Sequence, residues 1–230
     1  SEKLDVTGLA EQSYADIANS VLQLLLPDYT ADEIAACVHE AYDGTFASAE
    51  VTPLVPLVGH EAEEGGQPFV LELFHGPTSA FKDVALQMLP RLMARTGSTS
   101  DTPAESIMIV TATSGDTGKA APAGFADAPG TGITVFYPEG KVSRVQELQM
   151  TTQTGDNVSV CGVRGNFDDA QSAVKRIFAD RELAERLAER GVVLSSANSI
   201  NVGRLVPQVV YYFAAYAQLL RAGAIEAGDE

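Results

Sequence analysis

The chain has 230 residues, 45% of them apolar, and its 31 acidic against 15 basic side chains leave a net charge of −16. Such a length and apolar fraction support a sizeable core in one or two domains and exclude a disordered chain. The acidic balance argues against nucleic acid and anionic membranes as partners, so an anionic small molecule would need its own local cluster of cations and backbone donors.

Residues 12–26 carry Ile17, Val21, Leu24 and Leu25 at helical spacing, and Pro27 ends the pattern. Thr30, followed three positions later by Glu33, reads as a capping box that opens a second helix with Ile34, Val38 and Ala41 on its packing face. Both helices are packing elements, and residues 22–26 need another element to bury against. Two prolines within residues 51–58 allow at most an edge strand there. Residues 59–67, rich in Glu and Gly, read as an exposed turn, and residues 68–73 as a buried strand.

Next comes the run Phe74-His75-Gly76-Pro77-Thr78-Ser79-Ala80-Phe81-Lys82-Asp83. Gly76 and Pro77 set a turn, and Thr78 and Ser79 suit the capping of a helix over residues 82–94. Lys82 then stands near a helix N-terminus, where the dipole opposes a positive charge. That placement suits an amine that must lose its proton to attack a carbonyl. Read alone, it equally suits a solvated surface lysine.

Beyond a polar surface loop at residues 96–105, strands and helices alternate. Strands are expected at 107–110, 133–137, 158–163 and 192–194. Helices are expected at 119–126, 143–152, 167–179 (extending toward 190) and 205–221. Strands that are apolar on both faces and alternate with helices predict a parallel sheet covered on both sides, with ligands beyond the carboxyl ends of the strands. The loops at that edge are 113–118, 138–141, Gly165-Asn166 and 195–201. Thr113-Ser114-Gly115-Asp116-Thr117-Gly118 can point several amides and hydroxyls at one anion, or serve as a capped turn only. The same two readings apply to residues 195–201 with Arg204, and Lys141 with Arg144 reads alone as a solvated pair. Cys37 and Cys161 lack the spacing of a disulfide framework or a zinc site, which fits a reducing cytoplasm. Neither a secretory signal nor an apolar run near the roughly 20 residues needed to cross a bilayer is visible.

Taken together and in order, four motifs carry a resemblance. They are the Phe74–Asp83 run, Ala112-Thr-Ser-Gly-Asp-Thr-Gly-Lys119, Tyr137-Pro-Glu-Gly-Lys-Val-Ser143 and Asn198-Ser-Ile-Asn-Val-Gly-Arg204. Over residues 16–218 the sequence resembles the threonine synthases, pyridoxal-phosphate enzymes of fold type II in the tryptophan-synthase-β-like group. Residues 14–42 resemble the longer bacterial and fungal form. The resemblance implies open parallel sheets covered by helices on both faces. Residues 1–81 would belong to a larger domain, 82–204 would form a smaller α/β domain with the substrate loops, and 205–230 would return to the larger domain.

The same resemblance implies pyridoxal 5′-phosphate as cofactor and conversion of O-phospho-L-homoserine and water into L-threonine and phosphate. Lys82 resembles the lysine that holds the cofactor aldehyde and shuttles protons, with Phe81 packed beside the cofactor ring. Asp116 occupies a place near the cofactor's 3′ oxygen, either sharing a proton there or capping the helix. Ser114, Gly115 and Thr117 resemble the grip on the substrate carboxylate. Lys141, Asn198, Ser199 and Arg204 resemble the phosphate site, where an Arg fork and a Lys charge favour departure of the dianion.

Family members carry a glycine-rich phosphate loop after the last helix, and later a Ser or Thr facing the pyridine nitrogen. Neither is found before Glu230, and Gly162-Val163-Arg164-Gly165 comes too early. The sequence is therefore expected to be an N-terminal portion lacking the C-terminal part, a monomer or homodimer, and cytoplasmic. Alternatives are another fold-type-II lyase (a serine/threonine dehydratase or a phospholyase) and a non-catalytic fragment. A nucleotide-binding domain lacks its glycine fingerprint.

Overall fold

A computed structural model of the chain describes residues 6, 8–59, 66–96, 106–198 and 201–228. The loops expected at 59–67 and 96–105 fall largely outside these residues. The chain divides into two compact units, Ser1–Val84 with Val206–Glu230, and Ala85–Leu205.

In the first unit, helix α1 (Tyr14–Leu25) opens on a reciprocal cap between Ser13 and Asp16. Helix α2 (Ala31–Tyr42) opens on the expected box, with the Thr30 hydroxyl accepting from Glu33 N and the Glu33 carboxylate accepting from Thr30 N at 2.8 Å. Each box satisfies backbone N–H groups that the first helical turn leaves without partners. α1 buries Tyr14, Ile17, Ala18, Val21 and Leu22, while α2 buries Ile34, Cys37, Val38, Ala41 and Tyr42. Tyr14 and Tyr42 meet edge to face, 5.2 Å between centroids. The leucine run is less buried than the spacing suggests. Leu22 is fully buried, but Leu25 is 44% exposed, because it lies in the last turn of α1 at the end of the packed face.

Strands β1 (Leu54–Pro56) and β2 (Phe69–Leu71) pair antiparallel, with Leu54 opposite Leu71. The buried strand expected at 68–73 is thus a short arm of a two-stranded ribbon, and Val70 is 45% exposed. An apolar run of that length reads the same in a sheet interior and in a half-covered ribbon. Helix α8 (Val202–Arg221) fastens this region from the far end of the sequence. The Gln218 carboxamide accepts from Leu54 N at 2.8 Å and donates to Thr52 O at 3.0 Å. Arg221 donates to Ala10 O and Gln12 O and pairs with Glu50 at 2.8 Å.

The second unit holds a four-stranded parallel sheet of β3 (Ser106–Ala112), β4 (Thr131–Pro138), β5 (Val158–Val163) and β6 (Val192–Ser195) in the order β5-β4-β3-β6. Its helices are α3 (Asp83–Thr96, begun in the first unit), α4 (Thr117–Phe125), α5 (Arg144–Thr151), α6 (Phe167–Ala179) and α7 (Arg181–Ala188). The chain steps outward from β3 through β4 to β5 and then returns to the other side of β3. Right-handed crossovers in opposite directions place α4 and α5 on one face and α6 and α7 on the other. This is the α/β architecture expected, a parallel sheet flanked by helices. The reversal between β3 and β6 makes a crevice at their carboxyl ends.

Ile109, Ile133 and Val135 are fully buried in the sheet. On one face α4 approaches α3 at backbone distance, since a β-carbon on Gly124 would stand 2.0 Å from the Leu86 carbonyl oxygen. Gly124→Ala is therefore expected to destabilise the chain by about 2–3 kcal/mol through overpacking against rigid backbone. Urea unfolding checks this, and a loss within the error of the midpoint would show that the helices separate freely.

Candidate active site

The lysine turn is built within the first unit. The His75 ring meets Glu72 Oε2 at 2.7 Å, and the His75 carbonyl accepts from Ala47 N at 2.9 Å. The chain then reverses, with Ser79 N donating to Gly76 O at 3.1 Å and Ser79 in the left-handed region at φ +55°. Asp83 closes the turn. Its fully buried carboxylate accepts from Thr78 N at 2.9 Å, the Thr78 hydroxyl at 2.6 Å and Ala80 N at 3.3 Å. The expected direction of capping is reversed: Thr78 gives its protons to the first residue of α3. Gly76 is required here, because a β-carbon would lie 2.4 Å from Asp83 Cβ. Lys82, half-buried, immediately precedes α3, with its Nζ 5.4 Å from the centroid of the exposed Phe81 ring.

The second unit gathers most of the other predicted residues along the carboxyl edge of its sheet. At the end of β3, buried Thr113 shapes the loop. Its hydroxyl oxygen accepts from Gly115 N and Gly118 N, each at 3.1 Å, and the hydroxyl donates to Gly115 O. Gly118 must lack a side chain, since a β-carbon would meet Thr113 Cγ2 at 2.2 Å and Met150 Sδ at 2.6 Å. Ser114 is exposed, and Gly115, Asp116 and Thr117 are half-buried. Asp116 makes no side-chain cap to α4, so the capping reading is corrected. Its Oδ1 instead pairs with Lys119 Nζ at 3.4 Å and accepts from Gln146 Nε2 at 3.3 Å.

At the end of β4, Gly140 turns at φ +69° and Lys141 N donates to Pro138 O, leaving the Lys141 side chain in solvent. After β6, Asn198 is exposed, while Arg204 in the first turn of α8 is only 3% exposed. The Arg204 guanidinium donates to Ala197 O at 3.0 Å, and burial pushes its pKa below the usual arginine range. Asn201 Nδ2 donates to Ser196 O and Asn201 Oδ1 accepts from Gly203 N, which closes the same loop. Ser199 lies outside the described residues. Gly165-Asn166, the fourth loop at this edge, is a helix cap: Asn166 and Asp169 exchange hydrogen bonds at 2.8 and 3.0 Å.

Besides Gln146, two structural contributors were not singled out individually from the sequence. Thr113 is one, and its signal is a buried hydroxyl residue two positions before a glycine at a strand end. The other is Lys175 of α6, which with Gln171, Thr111 and Ser196 lines a cleft of about 320 Å³ beside Asn198. Helical spacing alone gave it no reason to be near that loop. A larger pocket of about 470 Å³ lies in the first unit, lined by α1, α2 and residues of 43–51, and contains none of the predicted site residues. Among the described residues no three His, Cys, Asp or Glu side chains cluster as metal ligands, and no helix is long and apolar enough to cross a membrane.

Residues 46–219, which include the lysine turn and all the sheet-edge loops, match the family described as pyridoxal-phosphate dependent enzymes. The chain belongs to this family. Within it, the chain is 38% identical over 229 residues to human threonine synthase-like 1, covering 96% of this chain and 29% of that protein. It is 41% identical over 210 residues to threonine synthase of Pseudomonas aeruginosa, covering 90% of this chain and 41% of that protein. The crystal structure of pyridoxal-phosphate-bound threonine synthase from Brucella melitensis superposes with a TM-score of 0.81 at 43% identity, over 93% of this chain and 43% of that one. The chain thus spans less than half the length of these relatives. The residues present fit the family's cofactor. A half-buried primary amine sits on a turn fixed by a buried carboxylate, and an aromatic ring stands beside it.

Proposed function

We propose that this family member acts as a threonine synthase, converting O-phospho-L-homoserine and water into L-threonine and phosphate in threonine biosynthesis. One observation carries the reading: loops bearing Ser114 to Thr117, Lys141, and Asn198 with Arg204 share the carboxyl edge of one parallel sheet. A substrate with an anion at each end calls for two such groups of donors. The threonine synthases among the relatives support the choice of reaction. The larger-domain assignment of 1–81 and 205–230, the smaller-domain assignment of 82–204, and a cytoplasmic monomer or homodimer belong to the same proposal.

In this proposal the residues divide the work. When bound, the cofactor supplies the electron sink that stabilises negative charge at the substrate α carbon. Lys82 holds the cofactor, and its freed amine moves protons at the α and β carbons. Phe81 packs beside it. Asp116, its charge balanced by Lys119, would serve at the cofactor's 3′ oxygen. Backbone N–H groups of 114–117 with the Ser114 and Thr117 hydroxyls bind the substrate carboxylate, helped by the N-terminus of α4. Lys141, Asn198 and Ser199 bind the phosphate. Arg204 adds positive potential and holds the Ala197 carbonyl that fixes the Asn198 loop.

Release of inorganic phosphate from O-phospho-L-homoserine, with threonine as co-product, tests the reading on the chain supplied with pyridoxal phosphate. Breakdown of threonine without phosphate release would instead assign a dehydratase. The coverage of 43% of the Brucella melitensis chain favours one second reading, a folded portion that needs further residues for turnover. A folded, cofactor-binding chain that releases no phosphate supports that second reading.

A further inference from the structure

Gln146 sits at the third position of α5, directly after the turn that carries Lys141. Its Oε1 accepts from Ser143 N at 3.4 Å and from the Ser143 hydroxyl at 3.1 Å, while its own N–H donates to Ser143 Oγ at 3.2 Å. This is a capping box, and for that purpose Glu serves as well as Gln. The box leaves the amide end of the side chain unused. That end crosses to the neighbouring loop, where Nε2 donates to Asp116 Oδ1 at 3.3 Å and lies 3.5 Å from where a β-carbon on Gly115 would stand. The start of α5 is also fixed to β4. The Tyr137 hydroxyl donates to Glu147 Oε1 at 3.3 Å, and Arg144 holds the other Glu147 oxygen at 2.8 Å.

We infer that Gln146 is a positioning residue that ties the 114–117 loop to the Lys141 turn and so sets the separation between the two anion sites. The inference rests on the proposed substrate, whose carboxylate and phosphate would occupy those two loops. Gln is chosen over Glu because only the amide can both complete the cap and donate to a carboxylate. A Glu there would face Asp116 with like charge, and the Asp116 carboxylate would keep its pairing with Lys119 but lose its tie to α5. A ligand that engages one loop is indifferent to their separation. A ligand that spans both is not.

The test is a pair of binding titrations on the ¹⁵N-labelled 230-residue chain, followed by amide shifts, with inorganic phosphate and with O-phospho-L-homoserine. The readout is the ratio of the two dissociation constants, which cancels a local charge effect on phosphate. In Gln146→Glu, which keeps the cap, the preference for phosphohomoserine over phosphate should fall roughly fivefold or more, the scale of one ordinary hydrogen bond. Its thermal midpoint should match that of wild type. Gln146→Met, which loses both cap and donor, should lose the same preference and also melt earlier. A ratio unchanged within twofold in Gln146→Glu overturns the inference, as does a Gln146→Met variant that loses stability but keeps the ratio, which would make the residue a cap only. If the wild-type chain binds phosphate and phosphohomoserine equally, or neither, the substrate reading falls and takes this inference with it.

Discussion

Replacing Lys82 with alanine should leave the chain folded and remove the borohydride-stable pyridoxyl adduct expected of wild type with pyridoxal phosphate. Lys82 is half-buried and precedes the first residue of α3, so its loss opens no cavity in the core. Removing a cation from a helix N-terminus is itself favourable by about 0.3–1 kcal/mol. The variant should therefore unfold in urea no earlier than wild type. Phosphate release from O-phospho-L-homoserine should drop by about 10⁴ or more, because one amine is asked to serve several proton transfers. Peptide mapping of the trapped wild-type adduct gives the decisive reading. An adduct on another lysine, or undiminished trapping in Lys82→Ala, would remove Lys82 from the chemistry.

Asp83→Ala should be among the most damaging single substitutions in the lysine turn. Asp83 is fully buried and Thr78 nearly so, and the carboxylate accepts three protons from Thr78 and Ala80. Alanine leaves two amides and a hydroxyl without that acceptor in a site closed to water. At about 1–3 kcal/mol for each buried donor so abandoned, with partial relief by local opening, the cost is on the order of 3–5 kcal/mol. Asp83→Asn keeps an acceptor for the two amides and should lose no more than about half as much. Urea midpoints of the two variants separate the cases. A loss below about 1 kcal/mol in Asp83→Ala would mean that the turn is held by its backbone alone. The asparagine variant also reports on function, since a loosened turn should trap less cofactor although Lys82 is intact.

Much of the second unit could be read from the sequence because each of its signals is local. The strand at 158–163 and the helix at 167–179 have the bounds their apolar runs suggest, with Asn166 and Asp169 marking the helix start. Alternation of apolar strands with helices was enough to predict a parallel sheet. The Thr30–Glu33 box was legible for the same reason, since both partners lie within one turn. What failed depended on partners that pattern cannot name. Within residues 68–73 only 69–71 form a strand, in a two-stranded ribbon whose Val70 faces solvent, because pairing with β1 satisfies the backbone of β2 without burying both of its faces. Leu25 stays exposed because the packed face of α1 ends before it.

The site was legible by motif and illegible in detail. Ser114, Asp116, Lys141 and Asn198 were found as members of loops, but the roles of Asp83 and Thr113 arise from side-chain bonds inside their own turns, and that of Gln146 from a bond to a neighbouring loop. Asp116 shows this well: its residue type suits a helix cap, while Lys119 and Gln146 draw its carboxylate sideways. Arg204, whose guanidinium was expected as a fork at the phosphate site, is buried and donates to the Ala197 carbonyl, a contact that motif alone does not name.

The fastening of β1 by α8 has a consequence for how the chain comes off the ribosome. The bonds from Gln218 to Leu54 and Thr52 join residues 164 and 166 apart in sequence, and those from Arg221 to Ala10 and Gln12 join residues 211 and 209 apart. Residues 85–205 form an uninterrupted stretch and can complete their sheet as soon as β6 emerges. The N-terminal helices, although synthesised first, must wait for α8 before their unit is closed. Domains usually mature in order of synthesis. Here residues 14–42 are made before residues 85–205 but are fastened after them, once α8 has formed, and an apolar ribbon left open in that interval is a site for aggregation.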